Sequence, residues 1–162
     1  MHNKFFISLT FETKTLSYLM KEKTIDYTLR ATWQAVSRMY NEEASKFEGS
    51  MAIGFALLSI DKEEGTPSTY ISNRMGMEAT SLTRTLKTLE EKGLIIRKKN
   101  PDDGRGVLIY LTDLGKQMRE QSRNTVLKFN EVVKQNISEE KLKHFAEVAD
   151  VINDLITEKK IF

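Results

Sequence analysis

"GMEATSLTRTLKTLEEKGLIIRKKNPDDGRGVLIYLTDLGK", residues 76–116, changes its period halfway along. In the first half Leu82, Leu86 and Leu89 recur at three and four, the spacing of one buried helix face. Thr80, Ser81, Thr83, Arg84 and Lys87 lie opposite them, and Gly93 ends the helix. In the second half two short apolar runs, Leu94-Ile95-Ile96 and Val107-Leu108-Ile109-Tyr110-Leu111, flank "RKKNPDDGRG", residues 97–106. That pattern predicts a β-hairpin, and Asp103-Gly104 suits its turn. A surface turn has no use for Arg97, Lys98, Lys99 and Arg105, so the cations ask for a separate explanation.

Outward from this stretch the chain reads as helical. Thr66-Pro67 suggests an N-cap and a first-turn proline for a short helix ending at Met75, with Gly76 as its stop. Met51 to Ile60 is apolar on most sides and predicts a buried helix. Ile25, Leu29, Trp33, Val36, Met39 or Tyr40, and Phe47 form an amphipathic stripe that Gly49 closes. Downstream, Thr112-Asp113 caps a long helix toward Gln135, with Leu114, Met118, Val126, Phe129 and Val133 inside. Ser138-Glu139-Glu140 caps a last helix whose stripe is Leu142, Phe145, Val148 or Ala149, Ile152 and Leu155 or Ile156. Phe5, Ile7, Leu9 and Phe11 alternate like a strand, and residues 1–22 are read as an N-terminal extension with no role assigned.

The expected architecture is mainly α with a small β-hairpin wing: a winged helix-turn-helix over residues 49–112, flanked by helical dimerisation segments at 23–48 and 113–162. Long amphipathic helices at both ends of a small domain need a surface to bury against, and a second copy of the chain supplies it. In a helix-turn-helix the second helix lies in the major groove. Its hydroxyls serve phosphates or bases, and Arg84 can pair bidentately with guanine or with phosphate. The same face could be merely solvated, and the hairpin weighs against that. Arg97, Lys98 and Lys99 suit a strand that follows the DNA backbone. Gly104-Arg105-Gly106 gives a slender tip with a cation for the narrow, negative minor groove. Asp103 can hold Arg105 in place by a charge-assisted bond.

Residues 76–116 resemble the multiple-antibiotic-resistance-regulator (MarR) family of bacterial transcription factors, through Asp103 and Arg105 in the wing and Leu111, Thr112 and Gly115 after it. The helix order extends the resemblance to about residues 23–158. It implies a homodimer, two winged helices on one pseudo-palindromic double-stranded DNA operator, and a repressor working in the cytoplasm. Two positions depart from the pattern. Glu78 stands where an Asp or Ser cap is common, and Gly104 where many members carry a second basic residue.

Composition narrows the alternatives. The 162 residues carry a net charge of +2, yet Arg84 to Arg105 holds seven Lys or Arg against four acids. A local basic patch on a near-neutral chain fits a specific nucleic-acid site. With no cysteine, disulfides and thiol sensing are excluded, and His2 and His144 are too few for a zinc site. No cofactor, metal or membrane span is expected, and Phe5-Phe6-Ile7 is too short for a signal-peptide core. No glycine-rich phosphate loop or Ser/His/Asp set suggests an enzyme, and His144 is expected to make an interhelix polar contact. The resemblance implies an effector cleft, for which Trp33, Ser37, Arg38, Tyr40, Phe55 and Leu58 are the candidates. Arg38 could pair with a carboxylate or phosphate, and by analogy the effector is a small organic acid or an acyl thioester. An aromatic and Met stripe at this spacing is also what a core helix carries. The rival function is a winged helix used for protein–protein contact without operator binding.

Overall fold

The computed structural model describes residues 24–101 and 106–162, so the extension at 1–22, Asp103 and Arg105 lie outside the described residues. The chain divides into two compact units, Met1–Met51 and Ala52–Phe162.

The first unit is built on α1 (Ile25–Ser45). Thr24 caps it by accepting from the Tyr27 N–H at 3.4 Å, and Asp26 sits in the first turn, where the helix dipole favours a negative charge. The helix closes through the Gly49 N–H, which donates to the Ala44 carbonyl at 2.9 Å. Asn41 then accepts from the Met51 N–H at 3.0 Å and fixes the exit of the chain. Ile25, Leu29, Trp33 and Phe47 of the expected stripe are exposed, with Ile25 at 70%.

The second unit comprises α2 (Met51–Ser59), β1 (Thr66–Pro67), α3 (Ser68–Met75), α4 (Ala79–Glu91), β2 (Ile95–Lys99), β3 (Val107–Leu111), α5 (Asp113–Asn136) and α6 (Glu139–Thr157). Its core takes Ile53, Ala56 and Leu57 from α2, Ile71 from α3, the three leucines of α4, and Ile95, Ile109 and Leu111 from the strands. Full burial of a Leu or Ile side chain contributes about 1.5–3 kcal/mol. Thr112 and Ser138 cap α5 and α6, accepting from the Gly115 N–H at 3.0 Å and the Lys141 N–H at 3.4 Å.

Three expectations need correcting. Thr66 does not cap α3: it pairs with Ile109, Pro67 pairs with Leu108, and the sheet is three-stranded in the order β1-β3-β2. The Thr66 side chain is buried and accepts from the Asp61 N–H at 2.8 Å, so it is committed upstream rather than to the helix. Asp61 in turn accepts from the Glu64 and Glu63 N–H groups at 2.7 and 2.8 Å, which hold its carboxyl below the ordinary range. Leu114 is exposed rather than inside α5, because Gly115, not Leu114, faces the strands. His144 is exposed on α6, with no hydrogen bond or ion pair among the described residues to make the expected polar contact. No described residue of α6 is buried, and Phe145, Val148, Val151 and Ile156 stand open along it.

Candidate nucleic-acid interface

Gly76 makes the turn between α3 and α4. Its φ of 58° lies in the left-handed region, and the Gly76 and Met77 N–H groups return to the Asn73 and Ser72 carbonyls. Glu78, extended at ψ 144°, holds the N-cap of α4 without a side-chain cap bond. The first helical hydrogen bond runs from the Leu82 N–H to the Glu78 carbonyl at 3.0 Å. With Leu82, Leu86 and Leu89 buried, Thr80, Ser81, Thr83, Arg84 and Lys87 all face solvent. Thr85 and Thr88 are engaged within the helix, donating to the Ser81 and Arg84 carbonyls, both at 3.1 Å. Arg84 has no ion pair among the described residues, while Lys87 stands 3.7 Å from Glu91 with both side chains largely exposed. Water screens such a pair, so it holds Lys87 only weakly.

A second left-handed glycine, Gly93 at φ 67°, closes α4 and sends the chain into the wing. The Leu94 N–H donates back to the Leu89 carbonyl at 2.9 Å. Thr112 then ties three segments together. Its N–H donates to the Leu94 carbonyl at 3.1 Å, its hydroxyl donates to the Gly93 carbonyl at 2.7 Å, and that same oxygen caps α5. This contact requires glycine at 115, where a Cβ would lie 1.9 Å from the Leu94 oxygen. The Leu-Thr and Gly signature therefore has a physical basis: Leu111 enters the core, Thr112 joins wing to helix, and Gly115 permits the approach.

The wing is antiparallel, with Ile95 opposite Leu111, Arg97 opposite Ile109 and Lys99 opposite Val107. The period of two divides the basic run, which read as a single patch. Arg97 and Lys99 share the face of buried Ile95 and Ile109, and Lys98 takes the other face. There its ammonium stands 4.8 Å from the centre of the Tyr110 ring, within cation–π range. Tyr110 leans on Gly65, where a Cβ would meet the ring at 2.5 Å. Arg97 Nε lies 2.9 Å from Glu90 Oε2 of α4. Lys99 is exposed, and the Asn100 N–H closes the hairpin onto the Gly106 carbonyl at 2.9 Å.

Sequence reasoning missed Glu90, Tyr110 and Gly65. Strict alternation from Ile95 would have turned Arg97 toward the helices and so suggested a carboxylate partner on α4. Nothing in the sequence marked Gly65 as the support of a ring far along the chain. Of the effector candidates, Trp33 and Arg38 are exposed, Ser37 is half-buried and Tyr40 is buried, all on α1. Burial raises the Tyr40 phenol above its ordinary value, and the Ser37 hydroxyl is a buried atom with no hydrogen-bond partner among the described residues. Phe55 and Leu58 are half-buried on α2, in the second unit. Among the described residues no group of acids and histidines could hold a metal, and no helix is long and apolar enough to cross a membrane.

Residues 50–107 match the MarR family model. The HTH-type transcriptional regulator BilQ of Clostridioides difficile is 25% identical over 121 residues, covering 74% of this chain and 82% of that protein. The structure of Staphylococcus aureus MepR in complex with DNA superposes with a TM-score of 0.75 at 21% identity, covering 83% of this chain and all of that one. The PcaV transcriptional regulator of Streptomyces coelicolor, in complex with its natural ligand, gives 0.70 at 21% identity, covering 80% and 92%. The two structures share the fold, and the family match falls on the segment that carries the helix-turn-helix and the wing. Residues 50–107 thus carry the MarR family match, and the chain is similar over most of its length to a transcriptional regulator.

Proposed function

We propose that the chain acts in the cytoplasm as a dimeric, sequence-specific DNA-binding repressor, with residues 49–112 as the DNA-binding domain and 23–48 with 113–162 as the dimerisation region. The observation that carries this reading is α4. Its leucines are buried, Thr80, Ser81, Thr83 and Arg84 are exposed, and a basic wing follows it directly. Thr80, Ser81, Thr83 and Arg84 would meet the major groove, and Lys87 with Lys98 and Lys99 the phosphates. Arg97 would join them on the backbone, while Asp103 and Arg105, the wing-tip candidates for the minor groove, lie outside the described residues. The likeness to MepR, solved on DNA, supports this placement.

Selection of duplexes from a random-sequence pool by the wild-type chain tests it directly. A consensus with two related half-sites is expected, with affinity falling steeply as salt rises. A chain that enriches no duplex would instead be a winged helix for protein contact. On the selected duplex, Arg84→Ala is expected to lose about 1–3 kcal/mol of discrimination at one base pair. Lys87→Ala should weaken all sequences alike and lower the salt slope by roughly one. Titration of both variants against single-base substitutions of the duplex reads the split, and equal, sequence-independent losses would contradict it.

Release by a small organic acid or acyl thioester completes the reading. Its support is an exposed Arg38 guanidinium and a buried aromatic, Tyr40, both on α1, and the natural ligand in the PcaV complex. Aromatic carboxylates and acyl-coenzyme-A thioesters, screened for release of the selected duplex, should include an active compound whose effect Arg38→Ala reduces. Equal release from that variant would remove Arg38 from the site.

A further inference from the structure

The ion pair between Glu90 and Arg97 stands out on a surface meant for a polyanion. A carboxylate on the recognition helix repels phosphates unless it serves another purpose. Glu91 is accounted for by its loose, exposed pairing with Lys87. Glu90 is different. Its Oε2 lies 2.9 Å from Arg97 Nε, and the two side chains keep 46% and 32% of their surface exposed. The contact also spans two elements, the last turn of α4 and strand β2. Opposite Ile109, Arg97 sits on the strand face that packs toward the helices, so its guanidinium needs a guide to reach outward.

We propose that Glu90 is a positioning residue for DNA binding: it holds the Arg97 guanidinium by its Nε edge and aims the terminal amino groups at the DNA backbone. This rests on the DNA-binding reading above. Arginine suits the task because its planar fork carries donors on two edges, so one edge can be held while the other engages phosphate. A lysine has no second edge. The pair also fixes the wing strand against the recognition helix, so groove and backbone contacts form in one register.

The sign of one substitution separates this from a bystander role. If Glu90 merely lies near the phosphates, removing its charge must tighten binding. If it positions Arg97, removal must weaken binding. The full chain and its Glu90→Ala, Glu90→Gln, Arg97→Ala and doubly substituted Glu90→Ala/Arg97→Ala forms are titrated on the duplex selected by the wild type, over a series of salt concentrations. Arg97→Ala should cost about tenfold, as for one charge-assisted contact, and reduce the salt slope by roughly 0.9. Glu90→Ala should cost about threefold or more in the wild-type background and nothing in the Arg97→Ala background, where slight tightening is expected. Glu90→Gln, which keeps an acceptor oxygen, should recover most of the loss. Thermal melting of each variant should stay near the wild type, as for a half-exposed pair. Tighter or unchanged binding by Glu90→Ala overturns the inference while leaving DNA binding intact, and so does an equal loss in both backgrounds. A wild-type chain that selects no duplex overturns both.

Discussion

Gly115→Ala is expected to destabilise the second unit by at least ~3 kcal/mol, the upper end of ordinary overpacking. Such a loss is a large share of the 5–15 kcal/mol that holds a typical domain together. The added Cβ would stand 1.9 Å from the Leu94 oxygen and 2.9 Å from its carbon. These are backbone atoms, and no rotamer change relieves them. Nor is Leu94 free to withdraw: its carbonyl accepts from Thr112 and its N–H donates to the Leu89 carbonyl. Retreat of α5 would break the Thr112 hydroxyl bond to Gly93 as well. The helix propensity gained by replacing glycine, up to ~1 kcal/mol, is too small to offset this. Gly76→Ala is the informative control. Nothing lies within 4 Å of its Cβ position, so only the left-handed backbone opposes it, at about 1–2 kcal/mol. Urea unfolding of both variants, with m unchanged, orders the two effects. A Gly115→Ala chain within 1 kcal/mol of wild type would mean that α5 does not approach the Leu94 carbonyl this closely.

Gly115 also shows where sequence reading succeeds and where it stops. The residue pattern located the glycine and the helix around it, while the reason for the glycine lies in a carbonyl 21 positions upstream. The helices were legible because Leu82, Leu86 and Leu89, or the stripe of α6, repeat often enough to define a face. Strand β1 was not, because two residues carry no period, and Thr66-Pro67 has the composition of a helix start. Its strand role follows from the edge it occupies: Pro67 has no N–H to contribute, which an outer strand tolerates. The basic wing was legible as composition but not as geometry. Alternation gives Lys98 to Tyr110 on one face, while a tertiary contact gives Arg97 to Glu90 on the other. Ion pairs across elements leave no local signature, so nothing in the sequence marked Glu90 as the partner of Arg97.

A Phe145→Glu/Val148→Glu chain is expected to be a folded monomer that has lost most of its DNA affinity. In the single chain these side chains are 63% and 58% exposed, so the glutamates displace no contact of the described core. Phe145, Val148, Ile152 and Leu155 follow three-four-three spacing, the seam of a helix that packs against another helix. An exposed apolar run of this length needs a cover. The proposed dimer provides one, and two carboxylates buried there without partners would cost several kcal/mol. Sedimentation equilibrium at micromolar concentration should therefore show a dimer for the wild type and a monomer for the variant, with circular dichroism and melting showing that the helices persist. Each winged helix would then bind one half-site alone, and loss of the linked second contact should reduce affinity by roughly 10²–10⁴-fold. A variant that remains dimeric removes this face of α6 from the interface. A monomeric variant that still binds the selected duplex like the wild type would show that one winged helix suffices, and the two-half-site operator would be wrong.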